Sequence, residues 1–518
     1  MILCIIISKK YTPKNRKNQF RNFGFSFNIF VFRKSIKSSP RRRQMKKINL
    51  LYKVLSIAML SFESLTVSCY AQYTKLFDFS DTASGSGPAC SLISDGIFLY
   101  GTTEYGGHSN TGVVFKIKPD GTGFYKMHDF TDPLNGRWPV SSLIYNGSFL
   151  YGMTSSGGVI GNGTIFKIKP DGTGFAKVID FTGSGTGAFP NGNLIAIDTF
   201  LYGMTERGGA DNLGVVFKIK ADGTGFSKLV EFSGIANGSK PFGSLISDGT
   251  FLYGMTNSGG ADSAGTIFKI MPDGSGYVKL HDFAGGVNGK NPYGSLISDG
   301  TFLYGMTSQG GANNYGIVFK IRQDGTGFSK LLDFTGAGNG LGPAGTLISD
   351  GTYLYGTTLA GGINDNGVLF KIKPDGTGFS KMYDFVAANG IEPGNSLFSD
   401  GTFLYGMCTS GGTNTKGTLF KYQFAPTGIA EANEADSFTI YPNPSNGVFN
   451  LMMNQYENLK ALDGDIYNVY GEKVFHIDNS IGKSTNLQID LSRLSNGIYF
   501  LNLKTEKGAS TQKIIINR

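Results

Sequence analysis

The chain has 518 residues with 76 glycines and 13% aromatics, so it is neither a disordered Gly-rich polymer nor a small disulfide scaffold. Its formal charge of +9 is concentrated at one end: residues 1–72 carry 15 Lys/Arg and one acid, Glu63. The remainder holds 32 bases against 37 acids, a net of −5, which excludes a basic groove for phosphate and with it a nucleic-acid partner.

The N-terminal stretch reads as a leader. Residues 1–44 contain twelve Lys/Arg and no acid. Met45-Lys46-Lys47, the apolar run 54–60 and Ser68-Cys69-Tyr70-Ala71 then give a basic n-region, an h-region and a small-residue cleavage site. That is the layout of a secretory signal peptide, and it works only at a chain start. Residues 1–44 are therefore expected to be an extension upstream of a true start at Met45, with a signal peptide over 45–71 cleaved after Ala71. A lipoprotein reading through Cys69 is weaker, because Thr66-Val67-Ser68 is a poor lipobox.

From Gln72 a single pattern fills the chain as far as Tyr422. The triplet Leu-Tyr-Gly starts at Leu99, Leu150, Leu201, Leu252, Leu303, Leu354 and Leu404, five steps of 51 residues and a last one of 50. A period of about 50 residues with several short apolar runs per unit points to a propeller or a solenoid. The pattern begins out of phase. Residues 73–79 match the last segment of a unit with nothing before them, and the final unit stops at Tyr422 without that segment. A linear stack has no use for this offset, whereas a ring does. The N-terminal strand would complete the last unit and leave only short protected edges. The expected fold class is all-β, a seven-bladed β-propeller over residues 72–423 closed by its N-terminal strand.

Each unit is expected to hold four strands, which in the fifth unit fall at 295–298, 301–307, 317–322 and 328–334. Their β-branched and aromatic residues suit strands, and their continuous apolar runs suit burial on both faces. Ser-Asp-Gly-Thr joins the first two strands and Gln/Pro-Asp-Gly-Thr-Gly the last two, hairpin turns in which Gly takes positive φ. Asp198 replaces that Gly in the third unit, and Asp tolerates the left-handed region. These short turns fall on one face. The longer mid-unit loops (second to third strand) and unit-joining loops (fourth strand to the next first strand) fall on the other, and they vary.

Most unit-joining loops read Asn-Gly-x-x-Pro, at 135–139, 237–241, 288–292, 339–343 and 389–393. The central pair changes: Arg137-Trp138, Ser239-Lys240, Lys290-Asn291, Leu341-Gly342 and Ile391-Glu392. A constant frame with changing side chains suits a recognition surface, although relaxed surface drift leaves the same pattern. Arg137 and Trp138, the chain's single Trp, lead the ligand-binding candidates, with Tyr105, Arg207 and Tyr315 expected on the same face.

No motif names a catalytic residue, a metal site or a cofactor. The four histidines are scattered, and His128 and His281 hold a fourth-strand position that other units fill with Ile179, Val230, Leu332 or Tyr383. The Asp-Gly-Thr-Gly pieces look faintly like phosphate loops, but they recur at hairpin turns and the turn reading wins. Asp129, Asp180, Glu231, Asp282 and Asp333 recur beside Phe, as framework bonding does and an acid–base pair does not. Asn and Asp in the mid-unit loops at 210–214, 312–316 and 363–367 suit Asx-turns better than calcium. Cys90 and Cys408 lie in the first and last units, which a ring would make neighbours, so either a disulfide or two buried thiols is open.

After Tyr422 an acidic, Ala-rich linker at 424–436 leads to residues 437–518. About seven short strand-like segments there, among them Phe438–Tyr441, 448–452, 465–470 and 498–503, fit a small β-sandwich. Tyr441-Pro-Asn-Pro-Ser-Asn-Gly447, Val469-Tyr-Gly-Glu-Lys-Val474, Leu494-Ser-Asn-Gly-Ile-Tyr-Phe500 and Lys513-Ile-Ile-Ile-Asn-Arg518 stand in this order. The region resembles the type A sorting domain of the type IX secretion system. That resemblance implies Tyr441, Pro442, Asn443, Pro444, Gly447, Gly497, Tyr499 and Lys513 as sorting residues. It also implies export through the periplasm, recognition by the secretion machinery at the outer membrane, and release or surface anchoring.

Leu-Tyr-Gly-Met-Thr, Gly-Gly and Gly-Thr-Ile-Phe-Lys-Ile give the repeats a further likeness. They resemble the GloVer repeats of tandem-repeat proteins with interchangeable C-terminal anchors, over about 350 residues, a resemblance that implies no assigned activity. Kelch repeats share the period and the Gly-Gly pair, but their later Tyr and Trp are absent, so kelch is analogy only. The chain is expected to be a secreted or cell-surface binding protein, monomeric, non-enzymatic and without a transmembrane helix in its mature form. Its ligand would be a glycan or a protein. A polysaccharide lyase or glycosidase on the same scaffold, or a structural coat protein, is the alternative. An enzyme would break the symmetry with unique polar residues around the channel, and no such cluster stands out in the sequence.

Overall fold

The computed structural model describes residues 72–131, 133–424, 438–441, 447–453, 463–468, 473–477, 486–494, 497–505 and 508–516. The expected leader and most of the linker lie outside the described residues, as do Pro442, Asn443 and Pro444.

Leu-Tyr-Gly recurs because each of its residues solves a separate packing problem, as the fifth unit shows. Leu303 is fully buried, and Tyr304 buries its ring while donating its hydroxyl to Asp299 Oδ2 at 2.7 Å. The other oxygen of Asp299 accepts the N–H groups of Thr301 and Phe302 at 2.8 and 2.7 Å, so one carboxylate fastens both turn and strand. Gly305 makes room for the Phe319 ring of the adjacent strand, where a Cβ would stand only 2.6 Å from it. Phe319 is fully buried, a burial that contributes about 1.5–3 kcal/mol. The same Gly–Phe approach repeats from Gly101 and Phe115 to Gly406 and Phe420.

The strands of this unit are Ile297–Ser298, Phe302–Gln309, Ile317–Arg322 and Ser329–Asp333, hydrogen-bonded in that order. The third matches the sequence expectation end to end, and the others shift by one or two residues. Lys290–Pro292 of the unit-joining loop pairs alongside Phe302–Gln309 as an extra strand. Between residues 73 and 423 the described strands make seven antiparallel sheets, one per unit. The sheet of the last unit is Phe398–Ser399, Phe403–Cys408 and Thr418–Gln423, and its fourth strand is Tyr73–Asp78 from the other end of the chain. Tyr73 lies opposite Tyr422 and Asp78 opposite Thr418, with the register shift seen in the other fourth strands.

Successive sheets share buried cores. Tyr100 and Val114 of the first unit pack with Leu150 and Phe166 of the second, and the series continues unit by unit. Phe79, Tyr405, Met407 and Leu419 of the last unit share a core with Leu92, Leu99 and Phe115 of the first. A second tie runs through backbone and hydroxyls. Ser91 N–H donates to Ser142 Oγ, and equivalent bonds link Ser142 to Asn193, Asn193 to Ser244, Ser244 to Ser295, Ser295 to Thr346 and Thr346 to Ser396, all at 2.6–2.9 Å. The architecture is all-β and propeller-like.

The described C-terminal strands form two further sheets. Phe438–Tyr441, Val448–Met453 and Asn486–Asp490 make one; Lys473–Ile477, Asp463–Asn468, Gly497–Thr505 and Gly508–Ile516 make the other. Phe449, Leu451 and Ile489 from the first meet Ile466, Ile477, Leu501 and Ile514 from the second in one core.

Candidate functional site

The unit-joining loops carry a backbone feature that the Asn-Gly-x-x-Pro pattern only hinted at. Gly87, Trp138, Phe189, Lys240, Asn291, Gly342 and Glu392, the residues before the loop prolines, all have φ between 53° and 62°. Five of the seven are not glycine, although the left-handed region costs such residues about 1–3 kcal/mol each. Each is held there by two backbone bonds. Trp138 N–H donates to Thr111 O at 2.8 Å, and Trp138 O accepts Ser155 N–H at 3.0 Å. Lys240 repeats this with Leu213 and Asn257, and Phe189 with Asn162 and Glu206. The frame therefore extends to the two loops that lack Asn-Gly, where Gly85 and Gly187 take the place of that glycine.

A clamp on the outer strands holds the same loops. Lys126 pairs with Asp129 at 2.6 Å and donates to Thr82 O of its unit-joining loop, while Asp129 accepts His108 N–H from the mid-unit loop at 3.1 Å. Seven such Lys–carboxylate pairs occur, from Lys75–Asp78 to Lys381–Asp384. These acids are framework, as their recurrence implied. The Asp-Gly-Thr-Gly segments are turns: Asp324 Oδ1 accepts both the N–H and the hydroxyl of Thr326. In the mid-unit loops Asn110, Asn212, Asn314 and Asp365 each accept a loop glycine N–H.

Three of the five ligand-binding candidates come together. The Arg137 guanidinium lies 4.8 Å from the Trp138 ring centroid, and the Tyr105 ring meets Trp138 edge-on at 6.3 Å. Arg137 Nε also donates to Ser156 Oγ at 3.2 Å. Tyr105 is 41% exposed, and the Glu104 carboxylate beside it, helped by burial, pushes its phenol up to about 12. Arg207 belongs to a separate pair, 5.8 Å from the Phe189 ring and 3.4 Å from Glu206. Tyr315 packs against the Gly336 turn, apart from either group.

A second constellation was not visible in the sequence. The residues after the loop prolines, from Ala89 to Gly394, line a cavity of about 90 Å³ to which all seven units contribute. At its mouth the rings of Phe242 and Tyr293 stack at 4.8 Å and 17°. Asn191 Nδ2 donates to Glu206 Oε2 at 3.0 Å. Burial first, then the charges of Glu206 and Glu104, raise the Tyr293 phenol above its ordinary value. Burial likewise raises the Glu104 carboxyl. Each of these residues replaces a different one in the other copies, so only asymmetry between units could have flagged them.

Of the two readings open for Cys90 and Cys408, the structure has the two buried thiols. Cys90 and Cys408 are both free and buried, in different inter-sheet cores. Cys90 lies by Thr102 in the first core, and Cys408 ends a second strand beside Gly390, so neighbouring units do not bring the two sulfurs together. Burial raises both thiols, which makes them inert. His128 and His281 are strand residues, stacked on Phe175 at 3.5 Å and on Phe328 at 4.1 Å. Of the sorting residues, Tyr441 ends a strand, Gly447 O accepts Leu491 N–H at 2.7 Å, Gly497 opens a strand, Tyr499 is buried and Lys513 pairs opposite Phe500.

The Gloeobacter/Verrucomicrobia repeat model matches four overlapping stretches, 65–198, 141–315, 186–349 and 286–446. The chain belongs to this repeat family. A secretion system C-terminal sorting domain matches residues 439–517, which gives the repeats a type IX export tail and the protein a place at the cell surface or outer membrane. Among the described residues no helix is long and apolar enough to cross a membrane. No curated protein matches the chain.

Solved structures with a similar fold include PorZ, a surface component of the type IX secretion system of Porphyromonas gingivalis, at 14% identity and TM-score 0.44. That match covers 85% of this chain, which spans 61% of PorZ. Oligogalacturonate lyase from Vibrio parahaemolyticus matches at 10% identity and TM-score 0.43, over 68% of this chain and 94% of its own. A putative 6-phosphogluconolactonase from Bacteroides uniformis matches at 15% and 0.41, over 76% and 96%.

Proposed function

We propose that this repeat-family protein is a non-enzymatic binding or adhesion protein, displayed or released through its sorting domain, and that it reads a glycan or protein ligand with its loop face. The scaffold in this reading is a seven-bladed propeller closed by the N-terminal strand, followed by a small sandwich. Closure is supported by the pairing of Tyr73–Asp78 with Thr418–Gln423 and by the core that the first and last units share. It is supported again at the loops. A Cβ at Gly417 would stand 2.6 Å from Pro88, as one at Gly112 would stand 2.5 Å from Pro139, so the last unit meets the first as neighbours meet elsewhere.

The observation that carries the binding reading is the clamped left-handed position. Non-glycine residues there cost stability in five loops, and the Tyr105–Arg137–Trp138 group is built on one of them. The test is a glycan and protein-ligand array with the exported chain beside its Arg137→Ala/Trp138→Ala variant. Saturable binding that falls at least about tenfold in the variant supports recognition at this group. Binding unchanged in the variant removes these residues from the site. The polysaccharide-degrading reading draws on Glu104 and Glu206, the two carboxylates at one position of the repeat. Release of shorter products from a bound polymer would put it first.

A further inference from the structure

The mouth of the shared cavity departs from the repeat where the rest of the chain obeys it. In the position that follows the second strand, Glu104 and Glu206 stand where the other units have Ser155, Asn257, Ser308, Leu359 and Thr409. In the position that follows the loop proline, Phe242 and Tyr293 are the two aromatics, in adjacent units. Their rings are stacked 4.8 Å apart and within 17° of parallel, and Tyr293 is 43% exposed. A large aromatic left open in a concavity, backed on one face by a second ring, offers its other face as a platform. Beside the lining residue Asn191, Glu206 accepts its amide at 3.0 Å and meets Arg207 at 3.4 Å, and the half-buried Glu104 holds the equivalent position in the first unit.

We propose that the Phe242–Tyr293 platform and the Glu206–Asn191 pair bind a pyranose unit of a neutral glycan, laid across the cavity mouth. The C–H face of a sugar ring packs on the open face of the stack, and its hydroxyls donate to the carboxylate of Glu206. The cavity below, about 90 Å³, is too small to enclose a sugar, so the ring lies across the mouth and the chain of the glycan extends over the loop face. Two carboxylates against the single Arg207 leave this edge net negative, which disfavours an acidic polymer. The inference rests on the loop-face reading and narrows it from a glycan or a protein to an uncharged sugar at a stated place.

The experiment measures affinity of the full exported chain for hexasaccharides of β-1,4-linked glucose, β-1,4-linked mannose and α-1,4-linked glucose, with an α-1,4-linked galacturonate hexamer as the charged counterpart. The expected result is saturable binding of at least one neutral hexamer and none of the galacturonate. Tyr293→Ala is expected to weaken that binding about tenfold, the scale of one aromatic stacking contact, while Tyr293→Phe keeps it. Glu206→Gln is expected to weaken it several-fold with the melting temperature unchanged. Equal or tighter binding of the galacturonate overturns the inference, as does neutral-sugar binding that survives Tyr293→Ala. Binding abolished by Arg137→Ala/Trp138→Ala but untouched at Tyr293 and Glu206 keeps the loop-face reading and overturns this site. No neutral hexamer bound, with a protein ligand captured on the array, does the same; no ligand of either kind removes both.

Discussion

His128 and His281 show how a repeat tolerates a polar residue and what it pays in acid. Both take a strand position that Ile179 and Leu332 fill elsewhere, and each stacks on a Phe of the next unit. Burial, opposed only weakly by the adjacent aspartate, lowers both, His128 to about 4. The unfolded chain, with His near its ordinary 6.5, therefore binds protons that the folded chain refuses. Stability is full above about pH 6.5 and falls as the pH drops toward the folded value. The Nε2 atom of His281 is also buried without a hydrogen-bond partner. His281→Leu should raise stability by about 1 kcal/mol at pH 7 and remove up to one proton from the uptake on unfolding at pH 5. Denaturant melts at the two pH values check both numbers.

The unit-joining loop is the element in which sequence and structure part company most usefully. Its Asn and Gly were legible because they carry local turn chemistry: Asn339 accepts Thr335 N–H at 2.6 Å and donates to Asp333 O at 2.9 Å. Its left-handed position was not legible, because Trp138, Phe189, Lys240 and Glu392 have no intrinsic preference for that backbone. Bonds from two flanking loops impose it, and those partners are about 15–30 residues away. The Cys90–Cys408 question stayed open in the sequence for a related reason, since adjacency of units does not fix which strands of them face each other. Lys240 provides the test, because its side chain sits on this backbone at φ 53°. Lys240→Gly should leave stability unchanged or raise it by up to about 1 kcal/mol, and Lys240→Val should lower it by about 1–2 kcal/mol. Equal melting temperatures for the two would show that the backbone relaxes and the strain is not stored.

At the scale of the whole molecule the readable part was the arithmetic of the repeat, and the unreadable part was everything that crosses it. Five steps of 51 residues, one of 50 and a displaced first segment were enough to anticipate that residues 73–78 would join the last sheet. Asn191, Phe242 and Tyr293 come from successive units to line one cavity, and no window of sequence brings them together. The same logic makes one framework bond unlike its six copies. Lys75–Asp78, at 2.8 Å, fastens a strand that reaches its sheet without a covalent turn, and Asp78 also accepts Thr413 N–H at 2.8 Å across the seam. Lys279–Asp282 makes the same pair within a continuous hairpin. Although burial pushes Asp78 upward, the bonds from Lys75 and Thr413 outweigh it and hold its carboxyl below the ordinary value. Its contribution is therefore present above about pH 4 and disappears as the pH falls through the lower folded value. Asp78→Asn should release the N-terminal strand to exchange and proteolysis while the interior sheets stay protected. Asp282→Asn should cost a similar roughly 1 kcal/mol without that local opening, because its strand stays tethered on both sides. Hydrogen exchange on residues 73–78 in the two variants separates a seam from an ordinary strand. Equal protection would mean that the N-terminal strand is held by its buried rings, Tyr73 on Tyr383 at 4.1 Å and Phe77 on Phe124 at 4.5 Å, rather than by the ion pair.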